Sequence, residues 1–346
     1  MTNNQPLLAF SIIFVAGILS GSYALPIKYI KNWRFENIWL SFSLWTFAIF
    51  PYFITKFLVP QLEAIYLATP TLILSSVLTG GFVFGLGQVC FVLALERIGF
   101  GLGFLINVGL GMALGFLLPM LAQYRHEIFT PFGLTTFSGT ILAVIGLIFA
   151  GYAGKLREQT KNQATVKQQY KNNTHVVGIV LASLAGLFSA GQNLTFSLTE
   201  PMQQLALNMG ASNLGADNII WPGFLFCSFL PYATYMLFLQ YKNKSFALYI
   251  NQKSLKYFLT TCLMGLGWFI PTMCYGKASQ LFGNIGPIVA WPTFMIMIIL
   301  VANFWGWQHK EWEGVSKKAS KFMQISLMFL IGAALIIGYS AKLHVS

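Results

Sequence analysis

Charge is scarce in this chain. Only 9% of its 346 residues are Asp, Glu, Lys or Arg, against about 25% in a typical soluble domain, so the polar surface that a water-exposed fold needs is missing. Cysteine is scarce as well. Cys90, Cys227, Cys262 and Cys274 all fall within apolar runs and show no CxxC spacing, which argues against disulfides or a thiolate metal site and leaves them as small apolar packing residues. The four histidines, His126, His175, His309 and His344, are far apart in sequence and near the ends of apolar runs; they suggest no metal or general-base cluster. No GxxxxGK[ST] loop occurs, so there is no phosphate cradle for ATP-driven work. Nor does any acid/base or nucleophile set assemble. The expectation is a protein that is not an enzyme and holds neither cofactor nor metal.

What the chain has in abundance is apolar length. Hydrophobic residues make up 56% of it and its mean hydropathy is +0.66. Runs of about 20 residues, enough to cross a hydrocarbon core as helix, lie at 7–26, 37–59, 71–96, 100–123, 133–154, 176–198, 215–240, 255–276, 284–307 and 323–341. A membrane β-barrel would show short alternating segments in their place. The fold class is therefore an all-α integral membrane protein of ten transmembrane helices. The opening "MTNNQPLLAF" carries no Lys or Arg ahead of its apolar run, unlike a cleavable signal peptide, so the first span reads as retained.

A net charge of +12 invites a nucleic-acid partner until the charges are placed. Seventeen of the 21 Lys and Arg fall in odd-numbered connections, while Lys56, Arg125, Lys277 and Lys342 lie on the other side. By the positive-inside rule the odd connections are cytoplasmic and both termini lie outside the cytoplasm. The expected location is the cell (inner) membrane, multi-pass. The basicity reports orientation, and no nucleic acid is required.

The one long polar stretch, residues 155–175, divides the spans into five (1–154) and five (176–346), and the two halves echo each other. "AGILS" at 16–20 answers "AGLFS" at 185–189, "ENIW" at 36–39 answers "DNIIW" at 217–221, and "PY" recurs at 51–52 and 231–232. At a constant offset of 184, Gly81, Cys90, Ala94, Gly99 and Glu127 match Gly265, Cys274, Ala278, Gly283 and Glu311. Five is odd, so a second copy enters the membrane from the opposite face. Such inverted repeats occur in many secondary transporters, with the solute site near the midplane.

The segments "YALPIKYIKNWRFENIW" (23–39), "GLGQVCFVLALERIGFGLG" (85–103) and "GPIVAWPTFMIMIILVANFWGWQHKEWEG" (286–314) resemble the L-rhamnose/proton symporter family of the drug/metabolite transporter superfamily. The similarity runs through nearly the whole chain. It implies ten helices with outward termini, a sugar such as L-rhamnose as solute and a proton as coupling ion. Alternatives are an exporter or exchanger of another metabolite on the same fold, or a non-transporting membrane sensor or scaffold. The number of copies in the working unit stays open.

Polar side chains within apolar spans are costly unless paired or facing a water-filled cavity. Ser189, Gln192 and Asn193 share one helix face by their spacing, and their counterparts are Ser20, Tyr23 and Ala24. Gln88, flanked by Phe84 and Phe91, corresponds to Thr272 with Trp268 and Tyr275; Asn107 corresponds to Trp291. Aromatic faces with an amide or hydroxyl beside them suit sugars, so Tyr23, Gln88, Asn107, Gln192, Asn193, Trp268, Tyr275 and Trp291 are the candidate solute contacts. Helix packing by Ser, Asn, Gln and aromatic side chains is the competing role. For the proton, Asp217 is the first candidate, in part because the resemblance implies an acid there. Glu96, beside Arg97, and Glu200 follow. Glu127 and Glu311 are expected to orient helix ends.

Overall fold

The computed structural model describes residues 5–161 and 172–345. Ten helices are long and apolar enough to cross a membrane: α1 (Gln5–Tyr29), α2 (Phe35–Leu58), α3 (Thr71–Gly99), α4 (Leu102–Gln123), α5 (Pro131–Arg157), α6 (His175–Asn208), α7 (Asn213–Asn243), α8 (Ser254–Leu281), α9 (Gly283–Gln308) and α10 (Lys317–His344). No strand occurs among the described residues. In hydrocarbon every backbone N–H and C=O must be satisfied within the segment, and helix is how an apolar run does so. Helical structure reaches past the apolar runs into both ends of the 155–175 stretch, through Lys161 and from Asn172; residues 162–171 lie outside the described residues.

The bundle is built on small-residue seams. Gly17 and Gly21 of α1 lie against Met297 and Val301 of α9, and Gly267 of α8 lies against Tyr23. Correspondingly, α6 packs along both α3 and α4, with Gly87 against Phe188 and Gly111 near Ser189. Two further approaches fall at matched positions. Gly81 meets the backbone of Phe224 on α7, and Gly265 meets Trp45 and Thr46 on α2. Without a hydrophobic driving force between helices in lipid, such close approaches supply the van der Waals contact that holds them together. α9 is the centre of the bundle, with 67% of its apolar window buried against 28% for the peripheral α1 and α10.

α3 turns into α4, and α8 into α9, with hardly any loop. Gly99 has φ +77° and Gly283 φ +65°. That left-handed region is open to glycine without the Cβ clash other residues incur. The two glycines are the pair matched in the sequence at offset 184.

α5 and α10 pack on one another, joined by the Thr136–Ser340 hydroxyl bond of 2.7 Å. The two matched glutamates hold this pair from opposite ends. Glu127, in the α4–α5 connection, lies 3.5 Å from His344 at the end of α10. Glu311, in the α9–α10 connection, pairs with Arg157 at the end of α5 at 3.0 Å. Glu127 also accepts from Thr130 at 3.0 Å, whose hydroxyl accepts the Gly133 N–H.

Candidate functional site

α2 carries a local irregularity. Residues Leu44–Ile49 form a π-helical turn, and Phe50 N–H bonds back to the Trp45 carbonyl. Pro51 has no N–H to return to Phe47, and its ring crowds that carbonyl, which accounts for the widened turn. Such turns concentrate at functional sites. This one sets Phe47 in the bundle interior, with its ring 5.5 Å from Trp268, 6.1 Å from Tyr232, 6.3 Å from Phe84 and 6.4 Å from Phe42. Tyr23 stacks on Phe42 at 5.6 Å. Neither the Tyr23 nor the Tyr232 hydroxyl has a hydrogen-bond partner among the described residues. On the same turn Trp45 Nε1 and Thr46 Oγ1 are buried without a partner. α1, α2, α3, α7 and α8 thus bring together a packed cluster of rings, termed the aromatic chamber below, at about half the depth of the spans.

A second cluster lies nearer the face formed by the even-numbered connections. Asn193 is fully buried and spends its amide on three other helices. Nδ2 donates to the Gly115 carbonyl of α4 at 2.7 Å and to the Pro287 carbonyl of α9 at 2.9 Å, and Oδ1 accepts from the Tyr275 hydroxyl of α8. Trp291 Nε1 donates to Gly111 O of α4 at 3.0 Å. The knot closes α4, α6, α8 and α9 together. Its sequence counterparts toward the other face, Ala24, Phe91 and Asn107, form no equivalent: Asn107 Oδ1 is buried without a partner.

Chamber and knot are joined by consecutive ring contacts. Trp291 meets Tyr275 at 5.6 Å, Tyr275 meets Phe196 at 5.3 Å, and Phe196 stacks on Trp221 at 5.7 Å. Trp221 meets Phe224 at 6.0 Å, and Phe224 meets Phe84 at 5.7 Å. Gln192 lies one turn from Phe196 on α6, 6% exposed and without a hydrogen bond among the described residues. Gln88 is half-buried on α3, one turn from Phe84.

Five of the eight expected solute residues fall into two groups, and Gln88, Asn107 and Gln192 lie outside both. Tyr23 and Trp268 belong to the chamber; Asn193, Tyr275 and Trp291 belong to the knot, where their polar groups are already occupied. Phe42, Phe47 and Tyr232, which share the first cluster, were not among the residues singled out from sequence. The signal available was the repeated "PY", whose prolines, Pro51 and Pro231, sit next to the ring-bearing turns.

Of the three acids singled out, Asp217 alone is buried, at 7% exposed. It lies in the first turns of α7, 3.2 Å from Lys277 Nζ of α8. Its neighbour Asn218 accepts from Trp221 Nε1 at 2.9 Å and lies against Gly276, the residue following Tyr275. Glu96 and Glu200 are exposed, and Arg97 bonds its own helix at Leu93 O, 2.7 Å away. Glu36, the sequence counterpart of Asp217, is also buried, at 3% exposed. It has no cation partner among the described residues and accepts instead from Ser245 Oγ at 2.7 Å and Asn243 Nδ2 at 3.0 Å.

Outside the spans, Tyr66 staples the α2–α3 connection to α7. It donates to Ile219 O at 2.8 Å and accepts the Gly223 N–H at 2.9 Å; burial pushes its hydroxyl well above the ordinary tyrosine value. Glu63 is different. The Lys56 ammonium, its own backbone and the Tyr52 hydroxyl hold its carboxyl down at about 2.

Ten spans, with a packed aromatic cluster, a π-helical turn and a buried acid–lysine pair inside them, define a multi-pass membrane protein, and the arrangement fits a transporter. A family model described as L-rhamnose-proton symport protein matches residues 3–342, and the chain belongs to that family. It is similar to the L-rhamnose-proton symporters of Pectobacterium atrosepticum and Yersinia pestis, each 24% identical over 97% of this chain and 98% of the relative. The L-rhamnose-proton symporter of Yersinia pseudotuberculosis matches to the same extent.

Proposed function

We propose that this chain is a proton-coupled symporter that moves a neutral monosaccharide, L-rhamnose being the first candidate, across the cell membrane by alternating access. The observation that carries the reading is the chamber around Phe47. Aromatic faces supply contact area for the C–H faces of a sugar ring, while unpartnered hydroxyls and the amide of Gln192 remain free to bond its hydroxyls. The names of the relatives agree with this chemistry.

The two five-helix units, 1–154 and 176–346, are proposed to be inverted repeats. In support, α1 packs on α8 and α9 as α6 packs on α3 and α4, and the positive-φ glycines and the two helix-holding glutamates fall at matched positions. Two nearly equivalent arrangements then follow, opening to opposite faces. The basic odd connections would face the cytoplasm, with both termini outside. In the arrangement described here, the Asn193 knot closes the outer side.

Asp217 is the proposed proton carrier. Neutralising it would release Lys277 and weaken the contact between α7 and α8 next to Tyr275, linking protonation to the knot. Glu96 and Glu200, both exposed, lack that connection.

Uptake of radiolabelled L-rhamnose into proteoliposomes tests the reading. Accumulation driven by an inward proton gradient and weakened by Gln192→Ala or Trp268→Ala is the expected result. Uptake indifferent to the gradient removes proton coupling; no uptake of any sugar removes the solute class.

A further inference from the structure

Directly above the knot is a polar cavity of about 160 Å³. Its floor is shared with the knot: Pro287, whose carbonyl accepts from Asn193, and Phe196, whose ring touches Tyr275, both line it. Around them stand Gln203, Gln204, Gln280 and Asn284, the hydroxyls of Ser197 and Ser279, the ring of Tyr124 and the carboxylate of Glu200. At ~30 Å³ per molecule, a space of this size has room for about five waters, or one monosaccharide in their place.

The lining is specific in its chemistry. Gln203 is 5% exposed and accepts from Gln280 Nε2 across the cavity. That bond leaves the Gln203 amide N–H groups and the Gln280 carbonyl unused, a donor and an acceptor side by side. A vicinal diol presents the matching pair. Tyr124 and Phe196 add ring surface, and burial followed by the Glu200 carboxylate pushes the Tyr124 hydroxyl above its ordinary value. No Lys or Arg lines the space, so anions are disfavoured; a single carboxylate among neutral amides and hydroxyls favours a neutral polyol over a cation.

Resting on the symporter reading above, we propose that this cavity is a second, outer subsite that holds the monosaccharide before the Asn193–Tyr275–Trp291 knot opens. Sugar hydroxyls there sit within a turn of the knot and compete for its bonds, so occupancy of the subsite favours opening toward the central chamber.

The test places a reporter in the cavity. Asn284 is exposed and makes no hydrogen bond among the described residues, so Asn284→Cys leaves the fold intact. In nanodiscs, L-rhamnose is expected to slow its labelling by a membrane-impermeant maleimide about fivefold or more, equivalent to ~1 kcal/mol of occupancy. The same protection is expected in a Trp268→Ala background, where the central chamber is impaired, and its loss when Gln203→Leu is added. Absence of protection, protection that disappears with Trp268→Ala, or protection by methylammonium in place of the sugar each overturns the subsite. Wild-type protein that accumulates no sugar in proteoliposomes removes the transport reading itself; wild-type uptake with an unprotected Asn284→Cys removes the subsite alone.

Discussion

Asp217 and Lys277 form an ion pair of 3.2 Å between the first turns of α7 and the last turn of α8, with a tenth of the Asp217 side chain and under a third of the Lys277 side chain exposed. Removing one partner of a buried pair costs up to about 3–5 kcal/mol because the other charge is stranded. Partial exposure makes this pair cheaper to break than that, which is compatible with the proton-carrier role proposed for Asp217.

Asp217→Asn is expected to abolish accumulation against a gradient while sugar exchange between equal concentrations persists within about threefold, a change of less than ~1 kcal/mol. Parallel accumulation and counterflow assays check it. Loss of both activities to the same degree would place Asp217 in structure alone.

The chamber and the knot make opposite predictions. Trp268→Ala removes a partly exposed ring from the proposed solute site and is expected to raise the KM for uptake about tenfold, some 1.4 kcal/mol, with a smaller effect on Tm than on KM. Asn193→Ala breaks three interhelical hydrogen bonds. At an average near 0.6 kcal/mol each within membranes, roughly 2 kcal/mol of stability is lost, read as a lowered Tm in detergent. A KM effect of Asn193→Ala without a Tm effect would move it into the solute site.

Gly99→Ala and Gly283→Ala should each cost about 1–3 kcal/mol, the penalty of a Cβ at a positive φ that glycine alone adopts freely. Nothing lies within 4 Å of a Cβ at Gly99, so the loss there is conformational; with φ 77° and ψ 167° it lies outside the left-handed helical well that asparagine tolerates, and Gly99→Asn is expected to cost as much as Gly99→Ala. Denaturation of the three variants side by side decides the matter.

Glu63 offers a control on the pH profile. Its carboxyl is depressed from 4.5 to about 2, so whatever stability its contacts contribute is present above the ordinary value and fades only as pH falls through about 2. Between about pH 5 and 8 it stays ionised and exchanges no proton. Glu63→Gln should therefore leave the pH dependence of uptake unchanged, and a shifted profile would implicate it in coupling.

The ten spans were legible because hydrocarbon imposes length and apolarity on every crossing segment, and the matched pair Gly99 and Gly283 was legible because only glycine suits their backbone. Side-chain roles were less so. Asn193 and Gln192 are neighbours with the same chemistry, yet one is consumed by three carbonyl and hydroxyl partners and the other is free; what separates them is the arrangement of α4, α8 and α9, which no local pattern encodes. Phe47 was hidden for a related reason. Its burial among the surrounding rings depends on a turn widened by Pro51, and that turn shifts the α-helical spacing by which faces are read. The outer cavity draws on α4, α6, α8 and α9 and comes into being only in three dimensions.

The single-glycine crossings also limit the machinery that can move. With so little slack between α3 and α4, or between α8 and α9, neither member of a pair can slide along the membrane normal without dragging the other. Each pair is a wedge. On the alternating-access reading, the stroke is expected to be carried by two wedges tilting against α1 and α6, its cost concentrated in the seams between them where glycine meets side chain.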